Sequence, residues 1–422
     1  MDDYRNRILD ELLVDYLKAF GAVLIKGPKW CGKTTTATQK AKSVLKLQDT
    51  SKRNSYERTI DIEPGLLLQG DNPRLIDEWQ TYPILWDAVR TEVDDRNEKG
   101  LFILTGSSVP QDNITMHTGT GRIAKLDMST MSLFEAGQSF ANISLSKLFN
   151  DENYIINGLK SNLNIHDLIE ITCKGGWPAN LSNDIKSSLL VTKQYFNSVC
   201  DEDINRVDGS EKDPSKVGAI LRSYARNVST LVSNQTLLRD INSMGSPMSE
   251  PTLYSYLNAL KRLYIIDEIP AWNPSIRSAT SIRATTKKIF SDPSIAIAAL
   301  GLTPNILIDD LQTFGFLFEN LCIRDLRVYS SSLGGSISYY RDRSGLEADC
   351  VLHLDDGRYA LIEFKLGSRE IEVGAEHLLK IKYLTEKNNI KSPSLLMVLT
   401  GGEMAYKRKD GVFVIPIGCL KP

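Results

Sequence analysis

Gly27-Pro28-Lys29-Trp30-Cys31-Gly32-Lys33-Thr34 fits the spacing G-x-x-x-x-G-K-[ST], a pattern suited to holding a polyphosphate. A tight loop can turn successive backbone N–H groups onto one dense negative charge. Gly27 and Gly32 tolerate the torsions such a loop needs. A helix starting just after it adds unpaired N–H groups and a positive dipole end. Lys33 is spaced to reach the β- and γ-phosphates, and the Thr34 hydroxyl to bind Mg²⁺. The loop residues from Gly27 to Thr34, with Thr35 beside them, are the expected ATP contacts. Further on, Pro73-Arg74-Leu75-Ile76-Asp77-Glu78 is a short apolar run ending in two acids. Asp77 suits a ligand of Mg²⁺ or of its water, and Glu78 a general base for the attacking water. Ser107 follows another apolar run and suits a contact to the γ-phosphate or that water, as does Ser108. Arg122, on a glycine-rich connection, suits a finger on the γ-phosphate. It would act within its own chain or from a neighbouring subunit, the latter requiring an oligomer.

Elements must hold these groups in place. Val23 to Lys26 reads as a buried strand, with an amphipathic helix before it over Tyr4 to Phe20. Thr59-Ile60-Asp61-Ile62 reads as a strand. The apolar runs within Pro73 to Gln80 and Gly100 to Ser108 read as further strands with their polar residues at the carboxyl ends.

A second constellation lies near the other end. Phe314 to Leu321 begins a helix with Glu319 near its start. Ser336 to Arg341, Glu347 to Leu354 and Tyr359 to Leu366 read as strands. If Asp355-Asp356-Gly357 is a three-residue turn with Gly357 left-handed, Leu354 faces Arg358. Asp349 then lies opposite Glu363, and Glu347 opposite Lys365, all on one face. A two-residue turn would put Asp349 and Glu363 on opposite faces. Carboxylates on adjacent strands can hold a divalent metal. The metal can activate a water, with Lys365 steadying the developing phosphorane. This resembles the Asp…Glu-x-Lys arrangement of the restriction-endonuclease-like fold, PD-(D/E)XK. Glu319 resembles that fold's helix acid. Glu319, Asp349 and Glu363 are therefore the expected metal ligands, and Asp349, Glu363 and Lys365 the expected catalytic groups.

The chain has 422 residues and a formal net charge of −2, so it is no polycation, and any nucleic-acid contact must rest on local patches. Its six cysteines include no C-x-x-C pair, which points to reduced thiols in a cytoplasmic protein. No signal peptide is visible, and no apolar run approaches the ~20 residues of a membrane span, so no membrane partner is expected.

The order of phosphate loop, Leu75-Ile76-Asp77-Glu78, Leu104-Thr105-Gly106-Ser107-Ser108, Gly121-Arg122 and Met131-Ser132-Leu133-Phe134-Glu135 resembles a prokaryotic AAA-type ATPase family. Members of that family end in a domain of unknown function, of the DUF4143 type, that is itself similar to a restriction endonuclease. The resemblance implies an α/β chain, with an AAA-type P-loop NTPase domain over 1–150 carrying ATP at the ends of a parallel sheet. A helical linker with a winged helix would follow over 151–295, then a restriction-endonuclease-like α/β domain over 296–422. Gly175-Gly176-Trp177-Pro178-Ala179 resembles a signature following the core in that family, and reads as a tight turn with an aromatic plug. Asp201-Glu202-Asp203 reads as a solvated acidic face. Helical patterns at Val217 to Leu231, Ser233 to Ile241 and Ser249 to Leu263, then a strand to Ile269, fit a winged helix. Arg277, Arg283, Lys287 and Lys288 form the best local patch for a phosphate backbone. The expected function is an ATP-hydrolysing protein coupled to a nuclease-like domain acting on DNA or RNA. The alternative is an ATP-gated binding or signalling protein whose last domain is inert and docks a protein partner.

Overall fold

Short apolar runs build the central strands of the first sheet, which is covered on both faces. The structure, a computed structural model, describes residues 4–107, 118–207, 211–272 and 285–422. The strands are β1 (Ala22–Lys26), β2 (Ser43–Lys46), β3 (Arg74–Asp77), β4 (Phe102–Gly106) and β5 (Ile123–Asp127), all parallel, in the order β2-β3-β4-β1-β5. Leu13 and Leu17 of the helix Leu9–Ala19 pack with Val23, Ile25, Leu75 and Ile103 on one face. Leu24, Ile76, Leu104 and Trp86 pack on the other. Chain order reverses around β1, so the carboxyl ends of β1, β3 and β4 meet at the switch point where open α/β sheets bind ligands.

Thr59-Ile60-Asp61-Ile62 is not a strand. It is the last turn of the helix Arg53–Ile62, which buries Tyr56 and leaves Ile62 78% exposed. The sheet takes Ser43-Val44-Leu45-Lys46 instead, a strand with only Leu45 buried and therefore faint in the pattern.

The chain forms two compact units, of which the first comprises 1–130, 201–212 and 257–265 and the second comprises 131–200, 213–256 and 266–422. Each unit gathers segments that are separate in the chain, because compactness follows packing and not chain order. Met131-Ser132-Leu133-Phe134 belongs to the second unit. There the Leu133 N–H donates to Asp325 Oδ2 at 2.9 Å and the Phe134 N–H to the Tyr329 hydroxyl at 3.3 Å.

The second unit contains β6 (Ile143–Ser144), β7 (Ile266–Ile269), β8 (Lys287–Phe290), β9 (Gly335–Arg341), β10 (Glu347–Leu354), β11 (Tyr359–Lys365), β12 (Leu395–Thr400), β13 (Tyr406–Lys407), β14 (Phe413–Pro416) and β15 (Leu420–Lys421). The main sheet runs β13-β14-β12-β11-β10-β9, β6 pairs with β15, and β7 pairs with β8 as an antiparallel ribbon. Helix Ile371–Lys387 lays Ala375, Leu378 and Ile381 against Val351, Leu361 and Val398 of the main sheet. The helical patterns of the middle region become Pro214–Arg226, Asn234–Ser243 and Glu250–Arg262.

The Gly175-Gly176-Trp177 turn is structural. A Cβ on Gly176 would lie 2.1 Å from the Met131 carbonyl oxygen. The Gly176 N–H donates to Asp292 Oδ2 at 2.9 Å, and the fully buried Trp177 donates its indole N–H to Ser294.

Candidate nucleotide site and a second acid cluster

The loop after β1 has the backbone that glycine makes possible. Gly27 has φ +156° and Gly32 φ +100°. A Cβ on Gly27 would lie 2.0 Å from the Met128 carbonyl oxygen, so the chain passes where no side chain fits. Gly32 caps the helix Lys33–Lys40, whose first N–H groups open toward the loop. Lys33 Nζ folds back on its own loop, donating to the carbonyls of Gly27 at 3.0 Å and Pro28 at 2.8 Å. Cys31 is fully buried, and Trp30 is 55% exposed with a left-handed backbone.

The acids sit where the sheet predicts. Thr34 Oγ1 donates to Asp77 Oδ1 at 2.7 Å, joining the loop helix to the end of β3. Thr105 of β4 donates to the same Asp77 oxygen at 2.7 Å and accepts from the Glu78 N–H at 3.1 Å. Glu78 has φ +56°, a costly conformation for a non-glycine residue and one that active sites retain. Its carboxylate accepts from Ser107 Oγ at 3.0 Å and from Gln80 Nε2. The site therefore brings together Gly27, Gly32, Lys33, Thr34, Asp77, Glu78 and Ser107. Thr105 and Gln80 were not singled out by sequence. The signal was their place one strand-end away from the acids. The site fits ATP and Mg²⁺ on chemical grounds, with a cradle that a Cβ would fill, an ammonium group resting on neutral acceptors, and a hydroxyl–carboxylate pair.

Two expectations change here. Arg122 precedes β5 at the end of the sheet where Ala22 begins β1, and its guanidinium pairs with Asp94 at 2.7 Å. It is about five residues, roughly 16 Å of strand, from its own phosphate loop, so it is no finger in its own chain. Asp203 is not on a solvated face. It is 7% exposed and pairs with Lys29 of the loop at 2.5 Å. Ser108 lies outside the described residues.

In the second unit the hairpin has the odd turn. Leu354 and Arg358 face each other, Gly357 has φ +79°, and Cys350 pairs with Ile362. One step further, Asp349 comes opposite Glu363, and its Oδ2 accepts from the Phe364 N–H at 2.9 Å. Against β9 the register of β10 shifts between Ala348 and Val351, so Asp349 sits in a bulge, which re-aims its side chain. Glu319 is the ninth residue of the helix Leu311–Ser331, inside it and not near its start.

Two ammonium groups stand among these acids. Lys287 Nζ is 2.5 Å from Glu319 Oε1 and 3.7 Å from Asp349 Oδ1. Lys365 Nζ is 2.6 Å from Glu363 Oε2 and 3.9 Å from Asp349 Oδ2. Burial pushes the Glu319 carboxyl up to about 7 despite Lys287. Glu363 is also raised, by burial first and by the Asp349 charge second. Burial alone would lower the Lys287 ammonium, but Glu319 and Asp349 outweigh it and hold it above its ordinary value. No group of three His, Cys, Asp or Glu side chains among the described residues is arranged to hold a metal. Glu319, Asp349 and Glu363 are thus brought together, with Lys287 and Lys365 standing among them.

The basic patch fares similarly. Lys287 is spent on the acid cluster, Lys288 is buried against Glu268, and Arg277 and Arg283 lie outside the described residues.

The AAA domain family AAA_14 matches residues 19–137, and DUF4143, a domain of unknown function, matches residues 314–420. The chain is an AAA-type P-loop protein with a C-terminal DUF4143 domain. Between the AAA and DUF4143 matches, a further domain of unknown function, DUF8612, matches residues 165–306. Among solved structures, a Walker-type ATPase of Pyrococcus abyssi is similar at 16% identity and a TM-score of 0.44, over 71% of this chain and 96% of that one. Drosophila ORC bound to DNA is similar at 13% identity and a TM-score of 0.22, over 66% of this chain and 89% of that one. No curated protein matches the chain. Among the described residues of this AAA-type protein, no helix is long and apolar enough to cross a membrane. All six cysteines are buried and none is in a disulfide.

Proposed function

We propose that this AAA-type protein binds and hydrolyses ATP at the loop Gly27 to Thr35, and that turnover drives the DUF4143 domain on a nucleic acid. Lys33 exchanges its two loop carbonyls for the β- and γ-phosphates. Thr34 and Asp77 would hold Mg²⁺, which supplies charge neutralisation on the phosphates. Glu78 takes the proton of the attacking water, and Ser107 and Gln80 hold its carboxylate in place. Thr105 fixes Asp77 and the Glu78 backbone together, so both acids move as one unit.

One observation carries this reading. The Thr34–Asp77 hydrogen bond of 2.7 Å joins the loop helix to the acid strand, with Glu78 locked one residue on. Phosphate release from ATP tests it. Turnover that survives Glu78→Gln unchanged would sink the base assignment.

A second reading is an ATP-gated binding protein whose DUF4143 domain docks a protein partner. It is favoured by the lysines set among the C-terminal acids. ATP turnover measured with and without DNA or RNA separates the two readings. Several-fold stimulation supports action on nucleic acid, and a flat response supports the protein partner.

A further inference from the structure

Three carboxylates meet at the end of the C-terminal hairpin. Glu319 comes from the helix Leu311–Ser331, Asp349 from the bulge of β10 and Glu363 from β11. Glu363 is 1% exposed and Asp349 8%. Acids crowded this way need a cation among them. A divalent metal is one solution, since hard oxygen ligands suit it.

The chain supplies a different one. Lys287 reaches in from β8, a strand of another sheet. Its ammonium touches Glu319, faces Asp349 and donates to the Asp349 carbonyl at 3.2 Å. That is the space between Glu319 and Asp349 that a bridging cation would need. Lys365 lies between Asp349 and Glu363. Every carboxylate of the cluster already has an ammonium neighbour. The helix Ile371–Lys387 closes over the face. A Cβ on its Gly374 would come within 3.0 Å of Lys365 Cε and 3.4 Å of Glu363 Cβ.

We propose that Lys287 is a resident counter-ion standing where a divalent cation would bridge Glu319 and Asp349, so that the DUF4143 domain assembles no metal-dependent phosphodiesterase centre. An ammonium group balances charge and donates hydrogen bonds. It offers no open coordination position, so it cannot generate a metal-bound hydroxide or clamp a phosphate oxygen and a water together. The acids that look catalytic in sequence are then the anionic half of a buried ionic joint tying β8, the helix Leu311–Ser331 and the hairpin together. This inference does not depend on the ATP site.

Mn²⁺ binding to the full chain without nucleotide, followed by electron paramagnetic resonance of the free ion, tests it. Native protein and Asp349→Asn should give superimposable titrations. Lys287→Ala should gain a bound Mn²⁺ that Asp349→Asn in the same chain removes. Circular dichroism checks the fold of each variant. Two results overturn the proposal: native Mn²⁺ binding that Asp349→Asn or Glu319→Gln abolishes, or a folded Lys287→Ala chain that gains no site. If Lys287→Ala does not fold, the native chain compared with Glu319→Gln still decides. Loss of Mn²⁺ in Glu319→Gln refutes the counter-ion, and identical titrations support it.

Discussion

Lys33 and Lys287 are almost equally buried, at 5% and 6% exposure, and they are built for opposite ends. Lys33 donates to two neutral carbonyls of its own loop. An ammonium resting on neutral acceptors gains much by meeting an anion. Lys287 already faces Glu319 and Asp349, so a further anion would gain little and leave two acids exposed to each other. The AAA domain thus holds its cation in reserve, whereas Lys287, within the stretch matched by DUF8612, is already paired with acids of the DUF4143 domain. Burial of a charged residue does not by itself mark a working site; what the charge rests on does.

The same substitution at both lysines should break this comparison most sharply. Lys287→Met leaves Glu319 and Asp349 without their shared cation, and is expected to cost about 3–5 kcal/mol in denaturant unfolding. Lys33→Met should cost less, about 1–3 kcal/mol of stability, since two buried loop carbonyls lose a donor but no charge is left unpaired. Equal losses at the two positions would erase the distinction. For ATP turnover the order reverses. Lys33→Met should lower phosphate release by about 10²- to 10³-fold, the usual effect of removing one preorganised donor to a developing charge.

Gly27→Ala comes next. Its left-handed backbone and the collision with the Met128 carbonyl predict about 1–3 kcal/mol of strain, read as a lower melting temperature together with weakened binding of a fluorescent ATP analogue. Intact nucleotide affinity would mean that the loop is not a tight cradle.

A smaller effect is expected from His353, in the second unit. Burial holds its imidazole down to about 4, where Ser338 hydrogen-bonds Nε2 at 2.8 Å. The folded form stays neutral while the unfolded chain takes up a proton. Stability from this group is therefore complete above about pH 6.5 and drains away as pH falls toward 4. Allowing for partial exposure, the loss is about 1–2 kcal/mol. His353→Gln should flatten that slope in pH-dependent unfolding. The smallest effect should come from Asp203→Asn, which weakens one ion pair to the loop. A change in the KM for ATP of about two- to fivefold is expected, worth under roughly 1 kcal/mol. No change would confine Asp203 to packing.

Much of the first site was legible because its signals are local. The glycine spacing, Lys33, Thr34 and the acids closing an apolar run are each short patterns, and parallel strands carry their carboxyl ends to one edge. The hairpin register was legible too, since the turn length fixes which side chains share a face. The strand at Ser43 to Lys46 was not. It has one buried residue, whereas Thr59 to Ile62 alternates in a way that suits a strand and proves to be one turn of a helix.

Sequence alone picked out groups whose types and spacing suit phosphate chemistry and the order in which the elements carry them, because torsional need, apolar runs and turn length act over a few residues. Folding decided which charges meet. Lys287 stands 32 residues before Glu319 and 62 before Asp349, and Asp203 lies 174 residues beyond Lys29. No periodicity relates such positions. Only packing sets the distance between them, and that distance separates an ammonium free to take a phosphate from one already neutralised.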